Sequence, residues 1–285
     1  MEKSFGEILT EAVEVFKKTA PDLLKILGVW LGGFIIVATA LLTTVGMDFI
    51  KNVNDSQYVQ NYLAASSVNL GLVVGGIFLF LFVLSYVCYC CGILVIRNYL
   101  VGIKDALKET FFKSFGKFCK LFFALLLMGI VYFIIIAAGI ALPFFIIPSQ
   151  YAIFTLFVII PVVLLSIVLF TPFSFTVFYG MLCLETSFSN ILSDSIRLGF
   201  KRFFKIIAYM FLISLICGLP VSMILSILTY VFHALHLEVI GHIVAFAGQI
   251  AVGFFSACFL TIFYLDIAGL TGATVEEITM DQNPQ

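Results

Sequence analysis

The chain has 285 residues, 62% of them hydrophobic and 11% charged, with a mean hydropathy of +1.19 and a net charge of −1. A soluble domain sits near ~45–50% apolar and ~25% charged, so one water-facing fold cannot hide this much apolar side chain. The composition excludes a soluble globular domain and points to lipid as the solvent, while the near-zero net charge says nothing about partners.

In chain order, the opening stretch MEKSFGEILTEAVEVFKK mixes charges with apolar residues and has no cleavable signal pattern. Runs with the ~20 mainly apolar residues that a spanning helix needs then fall at about 23–45, 70–96, 121–142, 152–178, 203–230 and 239–265. Lipid offers backbone groups no partner, and the runs are too long for barrel strands, so all six read as helices. Pro161 and Pro172 predict bending or rearranged hydrogen bonds in the fourth, and Gly218-Leu-Pro220 predicts the same in the fifth. The segment 267–285 reads as a short tail.

Basic residues set the orientation. With the N-terminus inside, fourteen of the fifteen Lys and Arg fall in inner segments and Lys51 alone falls outside. The positive-inside rule then places both termini in the cytoplasm, with the chain in the cell membrane.

An internal repeat underlies the six spans. A shift of 85 positions sets Phe200, Phe203 and Lys205 on Phe115, Phe118 and Lys120, and sets TVFY at 176–179 on TIFY at 261–264. The first unit begins at SFGEILTE (4–11), which matches GIKDALKE (102–109) and SFSNILSD (187–194). Each match reads as a helix start, with Glu7, Asp105 and Asn190 at the third helical position and Ser4–Glu7 forming a capping box. In the third unit Phe188, Ile191, Leu192, Ile196, Phe200 and Phe203 form a stripe at helical spacing, the pattern of a helix lying in the membrane interface. The expected architecture is all-α: one transmembrane domain over 1–266, built as three copies (about 4–100, 101–185, 186–270) of interfacial amphipathic helix, span out and span back.

Lys117, Lys120, Lys201, Arg202 and Lys205 then stand where interfacial helices turn into spans. Anionic headgroups suit them, each nearby cation contributing ~1 kcal/mol of attraction. Spread over membrane edges beside Phe and Ile, with no cytoplasmic domain to present them, they do not form a nucleic-acid patch.

Two GxxxG patterns, Gly28 with Gly32 and Gly71 with Gly75, suit close helix packing. They are expected to join spans one and two, dimerisation being the alternative. His233, His236, Glu238 and His242 cluster in one outer stretch. They could close a metal site, but the spacing matches no established zinc pattern, and polar residues in a span-to-span turn are the simpler reading. The seven cysteines, CYCC at 88–91 among them, lie in or beside apolar segments and read as buried thiols rather than a disulfide framework, metal site or palmitoylation site.

Charged residues are nearly absent from the spans, which argues against an ion-coupled carrier; Gln249 is the clearest deep polar side chain. No P-loop, GxSxG, HExxH or carboxylate pair stands in a convincing context, so no catalysis and no cofactor are expected. The segment from Leu184 to Lys205, the Ser-Phe-x-x-Ile-Leu starts at Ser4 and Ser187, and FYLD at 263–266 resemble bacterial six-span membrane proteins similar to the membrane domain of glycerophosphoryl diester phosphodiesterases. The resemblance covers nearly the whole chain and implies a fold and a bacterial plasma membrane, but no active-site residues, since the phosphodiesterase domain is absent. The expected function is a non-enzymatic protein that organises or senses anionic lipid at the inner leaflet, its partners being lipids and a second copy or another membrane protein. A transporter for a lipid, peptide or hydrophobic solute, with a polar cavity between repeats near Gln249, is the alternative.

Overall fold

The computed structural model describes residues 2–45, 52, 55–146, 152–185, 187–235 and 237–270. Every regular element among them is helical: α1 (Phe5–Val45), α2 (Ser56–Val101), α3 (Leu107–Ile146), α4 (Ala152–Cys183), α5 (Phe188–Lys201), α6 (Phe203–Ile213), α7 (Leu219–Ala234) and α8 (Glu238–Ile267), with a π-helical turn, Ser214–Gly218, joining α6 to α7. Among the described residues six stretches are long and apolar enough to cross a membrane: Phe5–Val37, Gly75–Val101, Leu107–Gly139, Phe157–Cys183, Phe203–Ala234 and Val244–Ile267. This is the all-helical architecture of a multi-pass membrane protein.

The chain starts at a capping box. Ser4 donates its backbone N–H to Glu7 Oε2 at 2.6 Å, and Glu7 N–H returns a bond to Ser4 Oγ at 3.4 Å, so two donors that helix geometry would leave open are satisfied. The other two predicted starts differ. Gly102 adopts φ +80°, a left-handed conformation that closes α2, and α3 begins only at Leu107, leaving Asp105 outside the helix. Asp105 instead binds Lys113 at 2.7 Å and accepts from Asn98 at 3.4 Å. Ser187 precedes α5 without a side-chain cap bond.

Only the third segment breaks at its predicted hinge. Arg202, at φ −115° and ψ 19°, separates α5 from α6. By contrast α1 and α3 run unbroken for 41 and 40 residues. At ~1.5 Å per residue each is about 60 Å long, twice the ~30 Å hydrocarbon thickness, so each is longer than one crossing requires, and α1 carries Pro21 in its interior. The bend expected at Gly218-Leu-Pro220 takes the form of the π-helical turn just before Pro220, whose missing N–H and ring are what a regular α-helix cannot absorb.

Packing is densest at the end carrying the described termini. Ile8, Ile93, Leu121, Leu182, Ile206 and Phe259 are fully buried there in one cluster contributed by α1, α2, α3, α4, α6 and α8. Small side chains set the helix crossings. Ser195 on α5 donates to the Thr176 carbonyl at 3.1 Å, and Thr176 Oγ1 donates to the Ser195 carbonyl at 2.9 Å. A Cβ on Gly180 would lie 3.1 Å from both Ser195 Oγ and Tyr264 OH, so no larger residue fits this crossing without displacement. The opposite halves of the spans expose apolar side chains such as Phe34, Phe78, Phe133 and Phe157, as lipid-facing surfaces do.

Candidate functional site at the charged end of the bundle

Two clusters of charge sit where helices end beside the packed core. In the first, the α4 terminus places Glu185 between α2 and α3. Arg97 Nη1 approaches Glu185 Oε1 at 3.3 Å and Lys117 Nζ approaches the same oxygen at 3.4 Å. Lys117 also donates to the carbonyls of Leu182 at 2.9 Å and Leu184 at 3.0 Å, capping the last turn of α4 where orphan carbonyls gather. Burial favours the protonated form of Glu185, but Lys117 and Arg97 outweigh it and hold the carboxyl below its ordinary value. The Arg97 side chain is only 6% exposed, and its Nε has no partner among the described residues.

Lys117, Lys120, Glu185 and Phe188 line a small cleft between α3, the α4 terminus and α5. Lys120 is exposed and makes no ion pair among the described residues. Arg97 and Lys117 therefore share one carboxylate, and Lys120 stands in the same cleft without an ion pair among the described residues. Exposed Phe112, Phe115 and Phe122 continue along α3 beside them.

The second cluster ties the N-terminal segment to the last helix. Lys205 Nζ donates to Asp266 Oδ2 at 3.1 Å and to Glu2 Oε2 at 3.0 Å, and Arg202 pairs with Glu2. Lys3 donates its backbone N–H to Asp266 Oδ1 at 2.9 Å. The hydrogen bond from Lys205, followed by the charges of Lys205 and Arg202, holds the Glu2 carboxyl below its ordinary value.

The five predicted lipid-contact residues thus divide. Lys120 and Lys201 are exposed, Lys117 is largely enclosed but lines the cleft, and Arg202 and Lys205 are occupied by Glu2 and Asp266. Sequence reasoning missed Glu185, Glu2 and Asp266 as their partners, and Arg97 as the second cation on Glu185, because these pairs join residues 61 to 203 positions apart.

The predicted glycine faces are less occupied than their neighbours. A Cβ on Gly28, Gly32 or Gly75 would meet open space, whereas one on Gly33 would lie 2.2 Å from Leu84 Cδ2, so the close approach of α1 to α2 falls at Gly33. The side-chain environment of Gly71 lies outside the description, as do His236 and the side chains of Glu238 and His242; His233 lines a groove between α7 and α8. Among the described residues no group of three or more metal-ligating side chains comes together. All seven cysteines are free, and Cys88, Cys90 and Cys91 are buried.

An apolar cleft of about 220 Å³ opens between α1, α2 and α8, walled by Trp30, Tyr89, Phe246 and Phe254. Trp30 Nε1 donates to Ser85 Oγ at 2.8 Å, fixing the indole as one wall.

No protein-family model matches the chain, and no curated protein or solved structure gives a significant match.

Proposed function

We propose that the protein is a non-enzymatic component of the cell membrane that binds and organises anionic lipid at its cytoplasmic face. The observation carrying this reading is the cleft lined by Lys117 and Lys120, where Glu185 is the one acidic lining residue among those described, already shared by Lys117 and the buried Arg97, beside exposed phenylalanines. A phosphodiester headgroup supplies the negative charge the cluster lacks, and its acyl chains suit the aromatic flank. The positive-inside distribution supports cytoplasmic termini, and the likeness to bacterial six-span proteins supports a bacterial plasma membrane.

A threefold repeat belongs to this reading. It is supported by matched burial: Ala12, Thr110 and Ser195 occupy equivalent positions and are all buried, as are Leu121 and Ile206. Small residues recur where each leading helix crosses the bundle.

The test is retention of phosphatidylglycerol over phosphatidylcholine by the purified chain, read by native mass spectrometry. Lys120→Gln, at an exposed position, and Lys117→Gln with Lys120→Gln should each lower that preference. An unchanged preference in both variants would sink the proposal.

A further inference from the structure

The α7–α8 hairpin carries a second site, at the end opposite the charged clusters and independent of them. Ser222, Ser226, Thr229, Tyr230 and His233 on α7 face Gln249 on α8 across a groove of about 480 Å³. Positions 222, 226, 229, 230 and 233 share one helical face, and the groove follows it for about 16 Å. Two glycines bring α8 close enough to form the opposite wall. A Cβ on Gly248 would lie 2.5 Å from Leu225 Cδ2, and one on Gly241 would lie 2.8 Å from Phe232 Cβ. Gln249, next to Gly248, is thereby set beside the hydroxyls; it is exposed and has no hydrogen-bond partner among the described residues.

Three of the four hydroxyl hydrogens are already committed. Ser222 Oγ donates to the Leu219 carbonyl, Ser226 Oγ to the Ser222 carbonyl and Thr229 Oγ1 to the Leu225 carbonyl, each at 2.8 Å. What these groups offer the groove is therefore lone pairs, not donors. No Asp, Glu, Lys or Arg lines it among the described residues. A phosphate would find only the Tyr230 hydroxyl, the His233 ring and the Gln249 amide as donors and no Lys or Arg, and an ammonium would be desolvated without a counter-charge. The chemistry left is an uncharged group rich in O–H donors.

We infer that the α7–α8 groove binds a hydroxyl-rich, uncharged head, that of a glycosyl- or polyol-bearing lipid or of the corresponding free sugar. Its volume falls in the range of small-molecule pockets, and Gln249, with both a donor and an acceptor, fixes the orientation.

The probe is diglucosyl diacylglycerol, offered to the full chain in a polyoxyethylene detergent so that no sugar-headed detergent competes. Native mass spectrometry compares its retention with that of phosphatidylcholine of the same acyl chains, with and without free maltose. The intact chain should retain the glucosyl lipid about tenfold better, and Gln249→Leu should remove most of that difference. Ser226→Ala with Thr229→Val should weaken it too, and keeps the helix, because those hydroxyls bond only their own backbone; this pair carries the test if the Gln249 variant does not fold. Displacement by maltose would assign the site to a free sugar and resistance to it would assign a membrane lipid, both upholding the groove. Equal retention of the two lipids, or unchanged retention in the variants, overturns it. So does loss of a dimer in Gln249→Leu, which would make the groove a contact between copies.

Discussion

Lys3 donates its backbone N–H to Asp266 across 263 positions of sequence, and Lys205 holds the other oxygen of the same carboxylate. The Asp266 side chain is only 2% exposed, so its charge depends on those two partners. Removing one partner of an enclosed pair leaves the other uncompensated, which costs about 3 kcal/mol. Lys205→Met should therefore lower thermal stability in detergent and free the N-terminal segment to proteases. Lys201→Met, at an exposed neighbouring position, should do neither.

Acid should loosen the same end. The Glu2 and Glu185 carboxyls are both held below their ordinary value of 4.5 in the folded protein. A depressed carboxyl contributes stability that is complete above its unfolded value and is lost as pH falls through the lower folded one. The unfolding temperature should be flat from pH 7 to about 5 and should drop below that. Glu2→Gln with Glu185→Gln should flatten the acid limb; an unchanged limb would show that other carboxylates govern it.

The contact between α1 and α2 should tolerate change at Gly28 and Gly32 but not at Gly33. Gly33→Val drives a branched side chain into Leu84 and should cost about 1–3 kcal/mol by overpacking. Leu84→Ala in the same chain should recover part of that loss. Gly28→Ala and Gly32→Ala should unfold like the parent.

The α4–α5 crossing should behave as a coupled pair. Ser195→Val and Thr176→Val each remove one of the two reciprocal hydroxyl-to-carbonyl bonds, and each should cost about 0.5–1.5 kcal/mol, because the carbonyls keep their helical N–H partners. The double variant should cost less than the sum of the two, a coupling that a double-mutant cycle on unfolding measures directly.

Much of the fold was legible in the sequence because lipid imposes it locally. Apolar length marks the spans, the Ser4–Glu7 spacing marks the first cap, and Gly218-Leu-Pro220 marks the irregular turn. Each signal lies within one or two turns of helix. The continuity of α1 and α3 was not legible, because a polar-to-apolar change in composition looks the same whether the helix is interrupted or runs on. The site was harder still. Arg202 and Lys205 read as free cations until Glu2 and Asp266 are brought beside them, and Gly33 looks no different from Gly32 until Leu84 is opposite. Such choices belong to three-dimensional neighbours rather than to spacing.

The irregular turn at Ser214–Gly218 also sets an angular phase. A π-helical turn accommodates one residue more than an α-turn, and successive α-helical residues are about 100° apart around the axis. Everything downstream is rotated by that increment relative to α6. The direction in which Ser222 and Ser226 point is thus set by a length count several residues upstream as well as by their own identity. Deleting one residue between 214 and 218 would let the turn close as regular α-helix with the hydroxyl face of α7 still on Gln249, whereas tightening all five residues into α-helix would swing that face away by about 100°. In this helix the wide turn absorbs one residue of phase.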